Sequence, residues 1–162
     1  MKPAIVEAEL DIDRSAEDVF DYCSDHSHEP EWNPKMKRIE KVTDGPLGVG
    51  TRYTTEFVSG RSMVLECVKF EPPSTWSLVG SSPVMNAVGE GKVVPTAKGA
   101  HLMMRMEIEP RGALKLALPL VRHRLCSDFA HDVQNIKTIL EQEGPSEGAG
   151  IREARGSRRP TR

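Results

Sequence analysis

Cysteine is scarce in this 162-residue chain, and its placement excludes the cross-links that stabilise many small domains. The three cysteines, Cys23, Cys67 and Cys126, are odd in number, widely spaced and outside any Cys-x-x-Cys pattern. Neither a disulfide framework nor a zinc site is therefore encoded, and we expect no metal ion or cofactor. Unpaired cysteines favour a reducing compartment, so the cytoplasm is the expected location.

Long apolar runs and an excess of positive charge are also missing. No segment reaches the roughly 20 apolar residues of a membrane-spanning helix, which argues against stable insertion into a bilayer. The amino terminus, MKPAIVEAELDID, alternates apolar and acidic residues and does not resemble a secretory leader. A formal net charge of -2 gives no basic groove, which excludes nucleic acid as a partner. The sequence contains no Gly-x-Ser-x-Gly turn, so it does not indicate an enzyme with a serine nucleophile at such a turn.

The carboxyl-terminal residues differ in composition from the rest of the chain. Residues 144–162 are rich in Gly, Ser and Pro and hold five arginines against two glutamates, with Ile151 as the one large apolar residue. Such a segment cannot bury enough apolar surface to offset the entropy lost on ordering. We expect a disordered Arg-rich tail there and one folded domain at residues 1–143. A tether to an anionic partner or lipid surface is the less favoured alternative for the tail.

The amino-terminal part of the sequence predicts one strand followed by two short helices. Residues 4–12 alternate apolar and acidic side chains, which is typical of a half-buried strand. Ser15 and Asp18 have capping-box spacing, and apolar residues follow at helical intervals to about Ser24. The proline-flanked segment after this helix has room for one further helical turn, around Trp32.

Six further strands and one long helix complete the prediction. Gly, Pro, Asp and Ser separate apolar runs at spacings typical of an antiparallel meander. The strands are predicted at residues 36–43, 51–58, 62–71, 75–80, 87–94 and 101–109. From Leu118 to Leu140, apolar residues recur every three or four positions, which predicts a long helix with Pro119 in its first turn and an end at Gly144. Antiparallel strands with helices on one face form an α+β fold, and a bent sheet around a helix leaves a space between them.

Several segments together resemble the START-like (SRPBCC) superfamily, in its bacterial polyketide-cyclase and dehydrase-like branch. They are, in chain order, DRSAEDVFDYCSD, EPEWNPKMKRIE, GPLGVGTRY, KFEPPSTWSL, KGAHLMMRMEIEPRG and NIKTILEQE. The resemblance covers residues 4 to about 143. It implies a helix-grip fold, in which a curved antiparallel sheet of six or seven strands wraps around the long last helix. It also implies a hydrophobic cavity, with functions that range from polyketide cyclisation to lipid or quinone binding.

Strand alternation nominates the residues that would line such a cavity. In the strand at 101–109 the apolar set is assigned inward, whereas Arg105 and Glu107 point to solvent because burying charge is costly. Tyr53 and Trp76 would each present a ring and one hydrogen-bonding group to an apolar pocket. The predicted ligand-binding residues are Tyr53, Phe57, Leu65, Trp76, Met104, Met106, Leu118, Val121, Leu125 and Phe129.

Two classes of function stay open on these grounds. A carrier or sensor of a small hydrophobic molecule (lipid, quinone or polyketide-like) needs shape, an apolar lining and one or two orienting groups. A polyketide cyclase or dehydratase needs a general acid or base near its substrate, and no catalytic residue is assigned.

Two segments have alternative interpretations. The cluster of Cys23, Asp25, His26, His28 and Glu29 is interpreted as a solvated helix end, in preference to a metal site. Residues 110–124 are interpreted as the amphipathic approach to the last helix, with a lid or a transient membrane contact as the alternative.

Overall fold

An antiparallel sheet of seven strands and one long helix make up most of the computed structural model, which describes residues 2–144. The strands are β1 (Ala4–Ile12), β2 (Met36–Lys41), β3 (Arg52–Phe57), β4 (Ser62–Glu71), β5 (Thr75–Ser81), β6 (Met85–Thr96) and β7 (Gly99–Pro110). The helices are α1 (Ala16–Ser24), α2 (Glu29–Trp32) and α3 (Leu114–Gln142), with a 3-10 turn at His26–His28 between the first two. This order confirms the predicted α+β fold. The predicted tail lies outside the described residues, except for Gly144.

The sheet has the order β1-β7-β6-β5-β4-β3-β2, so the two strands that flank the short helices lie at its opposite edges. Strand β1 pairs with β7 in a register that sets Val6 opposite Met106. A register shift between Cys67 and Lys69 interrupts β4, and a similar one lies in β2. Irregularities of this kind bend strands, and the sheet curls into a half-barrel around the long helix.

Helix α1 begins where the capping pattern predicts. The side chain of Ser15 accepts a hydrogen bond from the backbone N–H of Asp18 at 3.1 Å. The buried ring of Phe20 meets those of Phe70 and Trp76 edge-on, at centroid distances of 5.4 and 5.5 Å. These contacts anchor α1 on the concave face of the sheet.

Helix α3 begins at Leu114, earlier than the predicted start at Leu118. Pro119 therefore lies inside the helix, and its predicted place in the first turn was wrong. Leu, Lys and Ala are strong helix formers and extend the helix back towards Gly112, whose φ of 57° interrupts regular backbone. Proline removes the hydrogen bond to the carbonyl of Lys115, but that residue is exposed and water can take the place of the donor.

The carboxyl-terminal half of α3 is fixed to β1 and to the loop that follows it. Val133 and Ile136 are fully buried against the sheet. Lys137 donates a hydrogen bond to the carbonyl of Asp11 at 2.6 Å, and a carboxylate near the helix end accepts the N–H of Asp13. Near the start of the helix, Leu118 packs on Ala4 of β1, and the middle turns of the helix border a cavity.

Candidate ligand-binding cavity

A cavity of about 250 Å³ lies between the concave face of the sheet and the inner side of α3. Strands β3 to β7 supply most of its wall, and the segment from the 3-10 turn to β2 closes one side. Its apolar side chains include Trp32, Met36, Phe57, Met63, Leu65, Trp76, Leu78, Met85, Met104, Met106, Ile108, Leu125 and Phe129. Methionine is frequent among them, and its flexible thioether adapts to irregular shapes.

Seven of the ten residues nominated from the sequence line this cavity. They are Phe57, Leu65, Trp76, Met104, Met106, Leu125 and Phe129. Alternation placed the strand residues on the inner face because that face is buried and the opposite face is largely polar. Contact of these seven side chains with a ligand stays a prediction.

The other three nominated residues, Tyr53, Leu118 and Val121, lie outside the cavity wall. Tyr53 is 1% exposed, and its ring packs edge-on against that of His26 at a centroid distance of 5.9 Å. Leu118 packs in a small separate cluster with Ala4, and Val121 is 40% exposed. The apolar stripe of α3 is therefore divided, since its first turns lie beyond the cavity and only its middle turns border it.

Tyr53 was the polar group that the sequence favoured for a role in the pocket. Burial raises the pKa of its phenol to about 12, and the negative charge of Asp25 adds to this effect. A hydrogen bond from the backbone of His26 acts in the opposite direction. A phenol of this kind stays protonated at neutral pH and contributes packing in the core.

His26 is buried in the cavity wall, although the sequence was interpreted as placing it at a solvated helix end. Its side chain lines the cavity, and the residue is 8% exposed. The side chain of Asp25 caps the tight 3-10 turn, which turns the next residue inward. The sequence spacing could have indicated this burial. Cys23 lies four positions after Val19 and His26 three positions after Cys23, which is the spacing of residues on one face of a helix.

The buried imidazole is paired on one side only. Nδ1 of His26 lies 3.2 Å from Oε2 of Glu29, and Oε1 of the same carboxylate accepts a hydrogen bond from Asn33 at 2.9 Å. Within residues 2–144, the buried Nε2 of His26 has no hydrogen-bond partner. Nε2 of His26 is thus a buried nitrogen beside a mainly apolar cavity for which the described part of the chain supplies no hydrogen-bond partner.

A second polar group lies where α3 passes the segment after α2. Nζ of Lys35 is 2.7 Å from Oδ2 of Asp132 and 4.0 Å from that of Asp128. Asp132 is 5% exposed, and burial raises the pKa of its carboxyl while the bond from Lys35 opposes this. These three side chains form one charged end of a cavity whose wall is mainly apolar.

Arg105, predicted to point to solvent, pairs with carboxylates of its own and the neighbouring strands, and it also borders the cavity. Its guanidinium lies 3.5 Å from Glu7 on β1, 3.0 Å from Glu90 on β6 and 2.9 Å from Glu107. A wide hollow of about 650 Å³ opens beside this network and is bordered by further charged side chains. Its charge and exposure make it a poor site for an apolar molecule.

The described residues hold no group of three or more His, Cys, Asp and Glu side chains that could bind a metal ion. None of the helices between residues 2 and 144 is both long and apolar enough to cross a membrane. Cys23, Cys67 and Cys126 are unpaired, and burial raises the pKa of Cys23. The ionisable side chains at the cavity are carboxylates, one lysine, one arginine and one imidazole.

Solved structures share this fold at low sequence identity. A START superfamily protein from Mycobacterium smegmatis is 17% identical, with a TM-score of 0.68 over 86% of this chain and 98% of that one. The Zhui aromatase/cyclase from a Streptomyces species is 14% identical, with a TM-score of 0.70 over 90% and 98% of the two chains. A norcoclaurine synthase from Thalictrum is 18% identical, with a TM-score of 0.63 over 87% and 96%.

Sequence comparison assigns the family. A search among curated proteins gave no match. The family model described as polyketide cyclase / dehydrase and lipid transport, however, matches residues 3–141, which is nearly all of the described chain. This match shows that the chain belongs to the polyketide cyclase / dehydrase and lipid transport family.

Proposed function

We propose that the protein binds a small hydrophobic molecule in the cavity between the sheet and α3, as a carrier or sensor of that molecule. The observation that carries this proposal is the cavity of about 250 Å³ with a mainly apolar wall. The family description, which includes lipid transport, supports it. A lipid, a quinone or a polyketide-like compound matches the chemistry of the wall. The unpaired cysteines support a cytoplasmic location.

The size of the cavity limits the ligand. Pockets for drug-sized ligands usually have volumes of roughly 300 to 1,000 Å³. The volume of about 250 Å³ found here suits a molecule with one or two rings or a short acyl chain. Methionines such as Met104 and Met106 can repack around such a ligand, and occupancy would restore the contacts that an empty space forfeits.

Filling the cavity with side chains should abolish binding. Leu125→Trp and Phe129→Trp each add volume on the inner side of α3. We expect the wild type to bind an environment-sensitive apolar dye saturably, in competition with lipids, quinones or polycyclic aromatics. Both variants should lose this binding and still unfold cooperatively.

Leu120→Trp is the matched control, because Leu120 is 86% exposed on the same helix and lies outside the cavity wall. This variant should bind the dye as the wild type does. Saturable binding that persists in both cavity variants, or the absence of saturable binding in the wild type, contradicts the proposal.

Catalysis of a cyclisation or dehydration is a second function that one observation favours. His26, Glu29 and Asp132 line the cavity, so a general acid or base would lie beside a bound substrate. Loss of water from β-hydroxy ketones of suitable size, followed by mass spectrometry, tests this function. Turnover that survives unchanged in both His26→Gln and Asp132→Asn excludes His26 and Asp132 from the chemistry.

Transient contact with an anionic membrane surface is also part of the proposal. Leu116 and Leu120 lie one turn apart on α3 and are 80% and 86% exposed. Lys115, Arg122 and Arg124 flank them on the same helix. An exposed apolar pair with flanking cations can enter the headgroup region of anionic lipids. Such contact would bring a source of apolar ligand close to the cavity.

A further inference from the structure

The unpaired nitrogen of His26 needs a partner that the described part of the chain does not supply. The imidazole is buried in the cavity wall, and Nε2 lacks any hydrogen bond within residues 2–144. A buried polar atom without a partner is costly, and a group of this kind in a native fold calls for an explanation. His26 lines the cavity, but less than 1 Å² of Nε2 itself is accessible, so a bound ligand can provide the missing partner once the side chains around the imidazole shift slightly.

The partner of the other ring nitrogen determines what Nε2 can accept or donate. Glu29 receives a hydrogen bond from Asn33 on one oxygen, and its other oxygen faces Nδ1 of His26 at 3.2 Å. An ionised carboxylate only accepts hydrogen bonds, so Nδ1 carries the proton and donates to Glu29. In the neutral ring, Nε2 is then left with its lone pair and acts as an acceptor.

We propose that Nε2 of His26 accepts a hydrogen bond from a hydroxyl group of the ligand. The cavity thereby selects apolar molecules that carry a phenolic or alcoholic hydroxyl over the same skeleton without a donor. Glu29 is the positioning residue, because it holds the ring and its tautomer. This inference rests on the proposed function and deepens it, since it names one polar feature of the ligand.

His28 offers an internal control for this assignment. Its Nδ1 lies 3.1 Å from Oε1 of Glu31, so it repeats the three-residue spacing between His26 and Glu29. Its ring stacks on that of Tyr22 at a centroid distance of 4.6 Å and is absent from the cavity wall. The two histidines thus differ in their access to the cavity and in their burial, with side chains that are 10% and 38% exposed.

The affinity test compares two probes that share a ring system, 2-naphthol and 2-methoxynaphthalene. Only the first can donate a hydrogen bond. We expect the wild type to bind 2-naphthol roughly fivefold more tightly, which corresponds to one typical net hydrogen bond. The preference should disappear in His26→Phe and remain in His28→Phe, with folding of both variants checked by circular dichroism.

A nitrogen-15 NMR measurement on the wild type keeps the test independent of any variant that fails to fold. Free protein should show the tautomer with the proton on Nδ1 of His26. Saturation with 2-naphthol should shift the Nε2 resonance, and saturation with 2-methoxynaphthalene should leave it nearly unchanged.

The outcomes separate this inference from the proposed function. Equal affinities for the two probes, or an Nε2 resonance that 2-naphthol does not move, overturn the role of His26 and leave apolar binding intact. A preference that persists in His26→Phe overturns it as well. If no apolar probe binds saturably to the wild type, the proposed function fails, and this inference fails with it.

Discussion

The position of Trp76 in the cavity wall requires a glycine on the next strand. Gly91 pairs directly with Trp76 between β5 and β6. An ideal Cβ at Gly91 would lie 2.1 Å from Cζ2 of the indole, which is far inside van der Waals contact. The absence of a side chain at this one position therefore makes room for one of the two indole rings of the wall.

We expect Gly91→Ala to lower the free energy of unfolding by about 1 to 3 kcal/mol, the usual cost of forcing extra volume into a packed site. The added methyl group would push Trp76 from its position, so the affinity for an apolar dye should change as well. Urea denaturation measures the loss of stability. Gly89→Ala is the matched control on the same strand, because an ideal Cβ there meets no atom within 4 Å. Equal stability of the two variants would contradict the role given to Gly91.

His101 joins β7 to β1 through two carboxylates. Its Nδ1 is 2.7 Å from Oδ1 of Asp11, and its Nε2 is 3.6 Å from Oε2 of Glu9. The hydrogen bond to Asp11, supported by Glu9, raises the pKa of His101 above its ordinary value of 6.5. The folded state therefore holds this proton more tightly than the unfolded state does.

NMR titration of His101 should give a pKa above 6.5, and Asp11→Asn should lower it. The sign of the stability effect follows from the raised pKa. The contribution of the pair is fully present below the unfolded pKa of 6.5 and is lost as the pH rises through the folded pKa. A pKa that Asp11→Asn leaves unchanged would rule out Asp11 as the main cause.

Among the helices and strands, α3 combines two different environments. Its carboxyl-terminal half is buried through residues such as Val133 and Ile136, whereas Leu116 and Leu120 near its start face solvent. Periodicity alone could not separate these environments, because Leu118 and Val121 continue the spacing of the stripe that lines the cavity further on. Which turns lie over the cavity depends on where the helix crosses the sheet, and the sequence of the helix does not contain that information.

The exposed start of α3 gives an element-scale prediction. The double variant Leu116→Gln, Leu120→Gln should keep wild-type stability and bind less to vesicles that contain phosphatidylglycerol, as measured by co-sedimentation. Leu118→Ala should instead cost about 2 to 5 kcal/mol of stability, because that side chain is buried. Vesicle binding by the double variant that equals wild-type binding would overturn the proposed membrane contact.

For the molecule as a whole, the sequence predicts the strands and their order along the chain, but it does not predict which polar side chains are buried at the cavity. Alternation within β1, with Val6 inward and Glu7 outward, is a local property, and so is the cap at Ser15. The buried state of Asp132 depends on Lys35, which is 97 positions away in sequence. Pairings over such distances leave no pattern in a single sequence, so the charged end of the cavity could only be found in the structure.

The domain boundary after residue 143 stays a prediction that truncation can test. Leu140 is the last buried residue of the core, and Gly144 ends the described chain. We expect a chain that stops at Gly144 to have nearly the melting temperature of the full chain. A decrease of several degrees would show instead that the Arg-rich segment packs on the domain.

The pairing of β1 with β7 has a consequence for the newly synthesised protein. Strand β1 leaves the ribosome long before its neighbour β7. The side chain of Arg14 donates a hydrogen bond to the carbonyl of Leu140, which is synthesised 126 positions later. Contacts so distant in sequence slow folding, since loop closure precedes any gain from them. The apolar face of β1 therefore stays without its native cover until β7 and α3 have been synthesised. We expect nascent chains that end before α3 to bind chaperones and to be protease-sensitive.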